Sequence, residues 1–455
     1  MNQNNNSGLR DNTFRSFTNL YSRIEYNFDE SAKLGLSVLN INGEKGVAPE
    51  THIENARFWR YPEWNRTIFA INASAFLNST GNLRLRTTAW YDVNHQQINS
   101  YSDNNYDSVF QKQKDNDITL GARIALVWDL HRNHLFQFTS NSYYTSHEEI
   151  IDNNSPLNYS QSVFSNGLSY EYNINKFDLS TGIVYDYIVT GNSGVFEDYQ
   201  NSTMGDYGYY ASIKYGFDDK TAIFANYSLR TRFPTLRESY SGALDRFVAN
   251  PNLKPETGNL IEIGINRSTF EYTSEFSLFA NLYDGLIEQI RLSKEQDELR
   301  RRMRINYSSA DILGADLSLR FYPLNNFDVD VNFTYLYASG YQDSIKLDKI
   351  DNRPEFLTGV ILKYKYNFGL TLQGEFESTG KQYERSPDDI SRFVEIGATS
   401  IINFRLSYQF NTNLISGESL ELFARVNNIA DTYRISQLGL PEQGRVLLAG
   451  FKAHI

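Results

Sequence analysis

Two short stretches hold the side chains best suited to grip a ligand. Residues 57–64 read Arg-Phe-Trp-Arg-Tyr-Pro-Glu-Trp, so Trp59, Arg60 and Trp64 interleave aromatic rings with cationic groups. Such a patch can stack on a planar ligand such as a catecholate or a corrin, with cation–π attraction adding to the stacking. The same composition suits the aromatic girdle of a membrane β-barrel, and both readings stand at this point. The second stretch, residues 229–257, places Arg237, Tyr240 and Arg246 between an Arg-Phe-Pro run and an Asn-Pro-Asn-Leu-Lys-Pro-Glu-Thr run. These three complete the candidate ligand contacts. Arg300, Arg301, Arg302 and Arg304, in the run Lys-Glu-Gln-Asp-Glu-Leu-Arg-Arg-Arg-Met-Arg at 294–304, read as part of a solvated loop of mixed charge, with anion binding as the alternative.

Catalysis finds no support. The Gly-x-Gly-x-x-Gly and Gly-Lys-Thr patterns that cradle phosphates are missing, and with no cysteine there are no disulfides and no thiolate metal sites. No resident cofactor or metal is expected. A net charge of -11 disfavours nucleic acid as a partner, because phosphate binding needs a basic face.

The elements that must position these residues are strands. Aromatics make up 15% of the chain, mainly 32 Tyr and 30 Phe, and these residues favour sheets. Mean hydropathy is -0.49, and no run approaches the ~20 apolar residues of a spanning helix. Period-2 alternation recurs almost throughout. In 401–410, Ile402, Phe404, Leu406, Tyr408 and Phe410 share one face and Asn403, Arg405, Ser407 and Gln409 the other. Tyr207, Tyr209, Ala211, Ile213, Tyr215 and Phe217 likewise form an uncharged face.

The pattern predicts about nineteen strands, near 14–28, 31–41, 66–79, 82–98, 116–130, 133–147, 159–173, 176–190, 206–217, 219–232, 258–267, 270–291, 303–322, 326–340, 353–366, 369–383, 396–410, 418–433 and 445–455. Many exceed the ~5–6 residues usual in globular sheets. Short turns such as Phe-Asp-Glu-Ser, Leu-His-Arg-Asn and Phe-Asp-Asp-Lys alternate with long loops, as at 99–115, 191–205 and 233–257. Tight turns at one end, long loops at the other and an uncharged outward face are the signature of an up-and-down transmembrane barrel. On this layout His52, His95 and His147 fall near the outer rim and read as solvated residues rather than metal ligands, while His131 and His134 sit in a tight turn.

Bacterial single-chain barrels have an even number of strands, and nineteen is odd. An open edge in lipid leaves backbone groups unsatisfied at several kcal/mol each, so further N-terminal strands are expected in the intact protein. Residues 1–13 read as a disordered polar N-terminus, and residues 14–455 as a partial barrel. The opening residues lack the basic start and apolar core of a secretory signal, which leaves either a cytoplasmic protein or a chain that begins after its signal.

Two sets of motifs add to this reading. Arg232, Pro234, Thr235 and Leu236, followed by Asn250, Pro251, Asn252, Leu253, Lys254, Pro255, Glu256 and Thr257, resemble paired signatures that flank a large external loop in TonB-dependent outer-membrane receptors. Near the C-terminus, Val426, Asn428, Ile429, Asp431 and Tyr433, then Gly439, Pro441, Gly444 and Arg445, are similar to the ending of that family. The resemblance implies a twenty-two-stranded barrel filled by an N-terminal plug, which is not seen in this chain. It also implies binding of a scarce solute, a ferric siderophore or cobalamin, with import driven by TonB through the plug from the bacterial outer membrane and its lipid. Haem importers of the family place a ligand histidine between the two motifs; none stands there, so haem is disfavoured. A plugless passive pore and a soluble all-β carbohydrate-binding protein are the alternatives. The prolines of the motifs are expected to set loop geometry.

Overall fold

The computed structural model describes residues 10–454 apart from 53–55, 132, 243, 245, 300, 308, 343–344, 387–391 and 412–418. One antiparallel sheet of twenty strands makes up the wall. Leaving out the three-residue strand Ile345–Leu347, nineteen long strands remain, matching the count from periodicity. Each pairs with its neighbours in sequence, as Val109–His131 does with Leu83–Tyr101 and His134–Ile151. Between the first strand, Arg15–Asn27, and the last, Val446–His454, no ladder forms among the described residues.

Alternation sorts the wall into two faces. Ile261, Ile263 and Ile265 turn outward at 42%, 53% and 42% exposure, apolar groups that only a lipid environment would cover. The inward face carries the polar partners: Asn226 donates to Glu262 at 3.0 Å, and Ser212 donates to Asn226 at 2.7 Å. The strands reach 23 residues, about twice the ~9–11 needed to cross a bilayer, so one end of the wall has length to spare and forms a rim. At rim level even the outward face turns polar, with Asn116 bonded to Glu148 at 2.6 Å.

Departures from the predicted boundaries fall at this rim. The single strand expected over 270–291 is two, Tyr272–Asp284 in the wall and Ile287–Arg291 above it, separated by Gly285 with φ +68°. That expected over 303–322 divides likewise into Arg302–Asn306 and Ser309–Leu324. Arg302–Asn306 pairs on one side with Ile287–Arg291 and on the other with Phe247–Val248 in a small separate sheet. Residues 1–9 of the expected disordered N-terminus lie outside the described residues. Asn12 bonds to the carbonyls of Val47 and Trp59 at 2.8 and 2.6 Å, so ordered structure begins by that point. No helix among the described residues is long and apolar enough to cross a membrane.

A loop-roofed vestibule as candidate functional site

The segment between Arg232 and Glu256 is closed at its base. These two residues face each other in the antiparallel register of Thr221–Arg232 and Glu256–Ser268. Arg232 makes a two-pronged contact with the Glu256 carboxylate at 2.7 and 2.8 Å. Its remaining nitrogen reaches Glu238 at 2.9 Å. Glu256 also accepts from the Ile287 amide at 2.6 Å. The two proline-bearing motifs are therefore the two sides of one clasp.

Beyond the clasp the chain folds over the mouth. Thr235 caps a single helical turn, Leu236–Ser239, in a reciprocal capping box with Glu238, which satisfies two amide donors. Leu236 and Tyr240 then bury against Tyr159 of the strand Leu157–Ile174, with Phe196 and Tyr199 beside them. Tyr240 is 5% exposed, so its role is to anchor the roof. Ser241 donates to Glu149 at 2.7 Å, and the Leu244 amide donates to Gln113 at 2.8 Å, both on the inner wall. The second motif fixes the return path. Asn250 donates to the Arg304 carbonyl at 2.8 Å, Asn306 accepts from the Lys254 amide at 3.0 Å, and Tyr199 donates to Asn252 at 2.6 Å. Pro234 and Leu253 are buried. Pro251 and Pro255 lie beside these contacts, in keeping with a geometric role.

Arg246 and Trp59 come together under the roof, the guanidinium 5.2 Å from the ring. Arg57 lies over the same ring at 4.9 Å and pairs with Glu50. Among the described residues no carboxylate lies within ion-pairing distance of Arg246 or Arg302. Burial, together with the neighbouring charges of Arg57, Arg302 and Arg291 and against the pull of Glu50, lowers the Arg246 pKa to about 10. Arg302 is exposed to the vestibule yet ringed by protein; desolvation, then Arg57 and Arg291, lower it as well. Arg304 is lowered mainly by burial, lies 4.2 Å from the Phe247 ring and donates to the Arg237 carbonyl at 2.9 Å. Arg237 itself is exposed.

The remaining candidates are spread over the rim. Arg60 donates to Asn12 at 2.9 Å and sits 4.2 Å from the Tyr106 ring. Trp64 packs edge-on against Phe17 at 5.1 Å, with Lys45 4.0 Å from its ring. Of the arginine run, Arg301 pairs with Asp297 at 2.8 Å, while Arg300 lies outside the described residues. His147 departs from the expectation of a solvated rim residue. It is 8% exposed, because the roof loop folds inward over it, and its Nδ1 bonds to Asp117 at 2.6 Å.

The C-terminal motif is a turn lock. Asn428 and Asp431 hold left-handed φ of 51° and 55°, a region that Asn and Asp tolerate better than most residues. Asn428 exchanges two 2.8 Å hydrogen bonds with the Thr432 backbone. Asp431 accepts from the Arg445 amide at 2.7 Å, just after Gly444.

Long antiparallel strands, tight turns at one end and an inward-folded loop over the other define a membrane β-barrel of the receptor and transporter class. The chain belongs to the TonB dependent receptor-like, beta-barrel family, whose model matches residues 2–429. Among solved structures, the copper transporter OprC is similar with a TM-score of 0.80 at 14% identity, covering 97% of this chain and 72% of that one. The ferric citrate transporter FecA in its unliganded form gives 0.76 at 14% identity, covering 98% and 71%. The FrpB iron transporter from Neisseria meningitidis gives 0.75 at 14% identity, covering 98% and 74%. No curated protein sequence matches the chain. The family and these neighbours are receptors and transporters, not enzymes.

Proposed function

We propose that this protein serves as an outer-membrane receptor that captures an anionic metal chelate, a ferric siderophore above cobalamin, and imports it with energy delivered by TonB through a plug domain. One observation carries the choice of ligand: among the described residues Arg246 and Arg302 have no carboxylate within ion-pairing distance, and Arg246 lies 5.2 Å from the Trp59 ring. Besides burial, Arg57 and Arg291 crowd both of these guanidiniums and lower their pKa, so the site carries positive charge that an anion would neutralise. Trp59 adds a flat face for a planar chelating group. Arg237 is exposed, while Arg60 and Trp64 sit elsewhere on the rim with Asn12, Tyr106, Phe17 and Lys45.

Binding is read by tryptophan fluorescence on the detergent-purified chain, titrated with ferric citrate, a ferric catecholate chelate and cobalamin. The ferric chelates are expected to bind, and the double change Arg246→Gln, Arg302→Gln to weaken them at least about 100-fold, since each hydrogen bond to a charged group contributes roughly 1.5–3 kcal/mol and every 1.4 kcal/mol is tenfold. Cobalamin binding that survives the double change would reverse the choice of ligand. In cells, uptake abolished by a protonophore supports energised import; uptake indifferent to it favours a passive pore.

A further inference from the structure

Under the roof the inner wall holds a second group of side chains, distinct from the arginines. Val109–His131 and His134–Ile151 pair so that Asp115 faces Glu149 and Asp117 faces His147. Gln113, Asp115 and Glu149 are at most 1% exposed. One ligand atom each from Asp115, His147 and Glu149 lies within 4.8 Å of the others. Among the described residues no lysine or arginine comes within ion-pairing distance of Asp115 or Glu149. Two buried carboxylates side by side are costly without a compensating cation, and among the described residues the group within ion-pairing distance of Glu149 is the His147 imidazole, at 4.0 Å. Gln113 donates to both, at 2.7 and 3.2 Å, Gln96 donates to Asp115 at 2.7 Å, and Ser241 donates to Glu149.

The histidine supplies a second, independent observation. Its Nδ1 is held by Asp117, which is fixed in turn by Asn94 at 2.8 Å. The ring stacks on Tyr159 with centroids 5.6 Å apart. That leaves Nε2 buried with no hydrogen-bond partner, pointing into the acidic pair and 4.0 Å from Glu149 Oε2. A carboxylate on one ring nitrogen with the other nitrogen unfilled is how proteins orient an imidazole toward a metal ion.

We propose that Asp115, His147 and Glu149 form a binding site for a divalent first-row transition ion, with Asp117 as the positioning residue for His147. An imidazole beside two carboxylates suits zinc, cobalt, iron or manganese, whereas calcium and magnesium take oxygen ligands. Donor atoms around a tetrahedral zinc ion at ~2.1 Å lie roughly 3.4 Å apart, so the three donors, within 4.8 Å of one another here, must draw closer to share one ion. Ser241 and the Leu244 amide bond to Glu149 and Gln113 of the same cluster. An ion held there ties the roof loop to the wall, and its release frees the loop. The site stands apart from the arginine-lined chelate site, and either can fail without the other.

The full chain in detergent, stripped with a chelator and dialysed, is titrated with cobalt(II) and read by its visible absorption. One equivalent per chain is expected, with a spectrum of mixed nitrogen and oxygen ligation. His147→Ala and Glu149→Gln should weaken binding at least 100-fold, and Asp117→Asn about 10- to 100-fold. His95→Ala, a rim histidine outside the cluster, should leave binding unchanged. Heat-modifiable gel migration confirms that each variant keeps its barrel, and cobalt should protect the 241–246 segment of the wild type from protease. Cobalt binding that His147→Ala leaves intact, or that His95→Ala removes, overturns the site. So does a folded wild type that binds less than half an equivalent.

Discussion

Replacing Arg232 by alanine tests whether the clasp, rather than the barrel wall, holds the roof in place. Arg232 is 45% exposed and Glu256 11%, so the pair stands between two regimes: an exposed pair contributes about 0.2–1 kcal/mol, and breaking a buried one costs about 3–5 kcal/mol. The exposure of the arginine pulls the expected loss down to about 2 kcal/mol, because solvent screens it and also reaches the abandoned Glu256. That loss corresponds to roughly a 30-fold rise in local opening. Hydrogen exchange by mass spectrometry should therefore show the 235–257 segment and the Ile287 amide losing about 30-fold in protection. Wall amides such as those of 261–265 should be unaffected, since opening is local. Arg232→Lys keeps the charge but not the two-pronged fork and should fall between wild type and alanine. Unchanged protection over 235–257 in Arg232→Ala, or an equal loss in the wall, refutes the clasp.

Other consequences follow from the same geometry. Anion binding favours the protonated Arg246, whose pKa burial has already lowered to about 10, so chelate affinity should be full below that value and fall as pH rises through it; a titration of binding from pH 8 to 11 checks this. Ile263→Lys places a charge on the outward face and should cost roughly 2–4 kcal/mol in urea unfolding from lipid vesicles. Glu262→Gln, one residue away on the inward face, should cost well under half as much. Tyr240→Ala empties the buried cluster around Tyr159 and Leu236, a class of change that costs about 3–5 kcal/mol. It should expose the roof to protease while heat-modifiable migration of the barrel persists.

The wall was legible because lipid and lumen impose a strict period of two, which makes Tyr207, Tyr209 and Ile213 outward-facing at 58%, 45% and 43% exposure. The roof was not, since nothing in a loop sequence says whether it folds out or in. Thr235 and Glu238 did carry a readable capping-box spacing that marks the helical turn. The Asp115, His147 and Glu149 grouping was also within reach. Counting residues outward from the hairpin turn between His131 and His134 brings Asp115 opposite Glu149 to within the one-residue slip near Asp129. Period 2 then places all three on the polar face. What the sequence withheld was the burial of His147, which depends on Ser241 and Leu244 arriving from a segment about a hundred residues away. The gathering of Arg57, Arg246, Arg291 and Arg302 similarly depends on three separate loops meeting over the mouth.

Because Arg232 and Glu256 meet in register, the ends of the intervening segment stay fixed however long it is. Doubling the length of a closed loop adds only about 0.6 kcal/mol of closure entropy. The stretch between these two residues can therefore lengthen, shorten or change composition without disturbing the strands beneath it. Such an arrangement lets ligand preference drift through insertions and deletions while the wall stays constant.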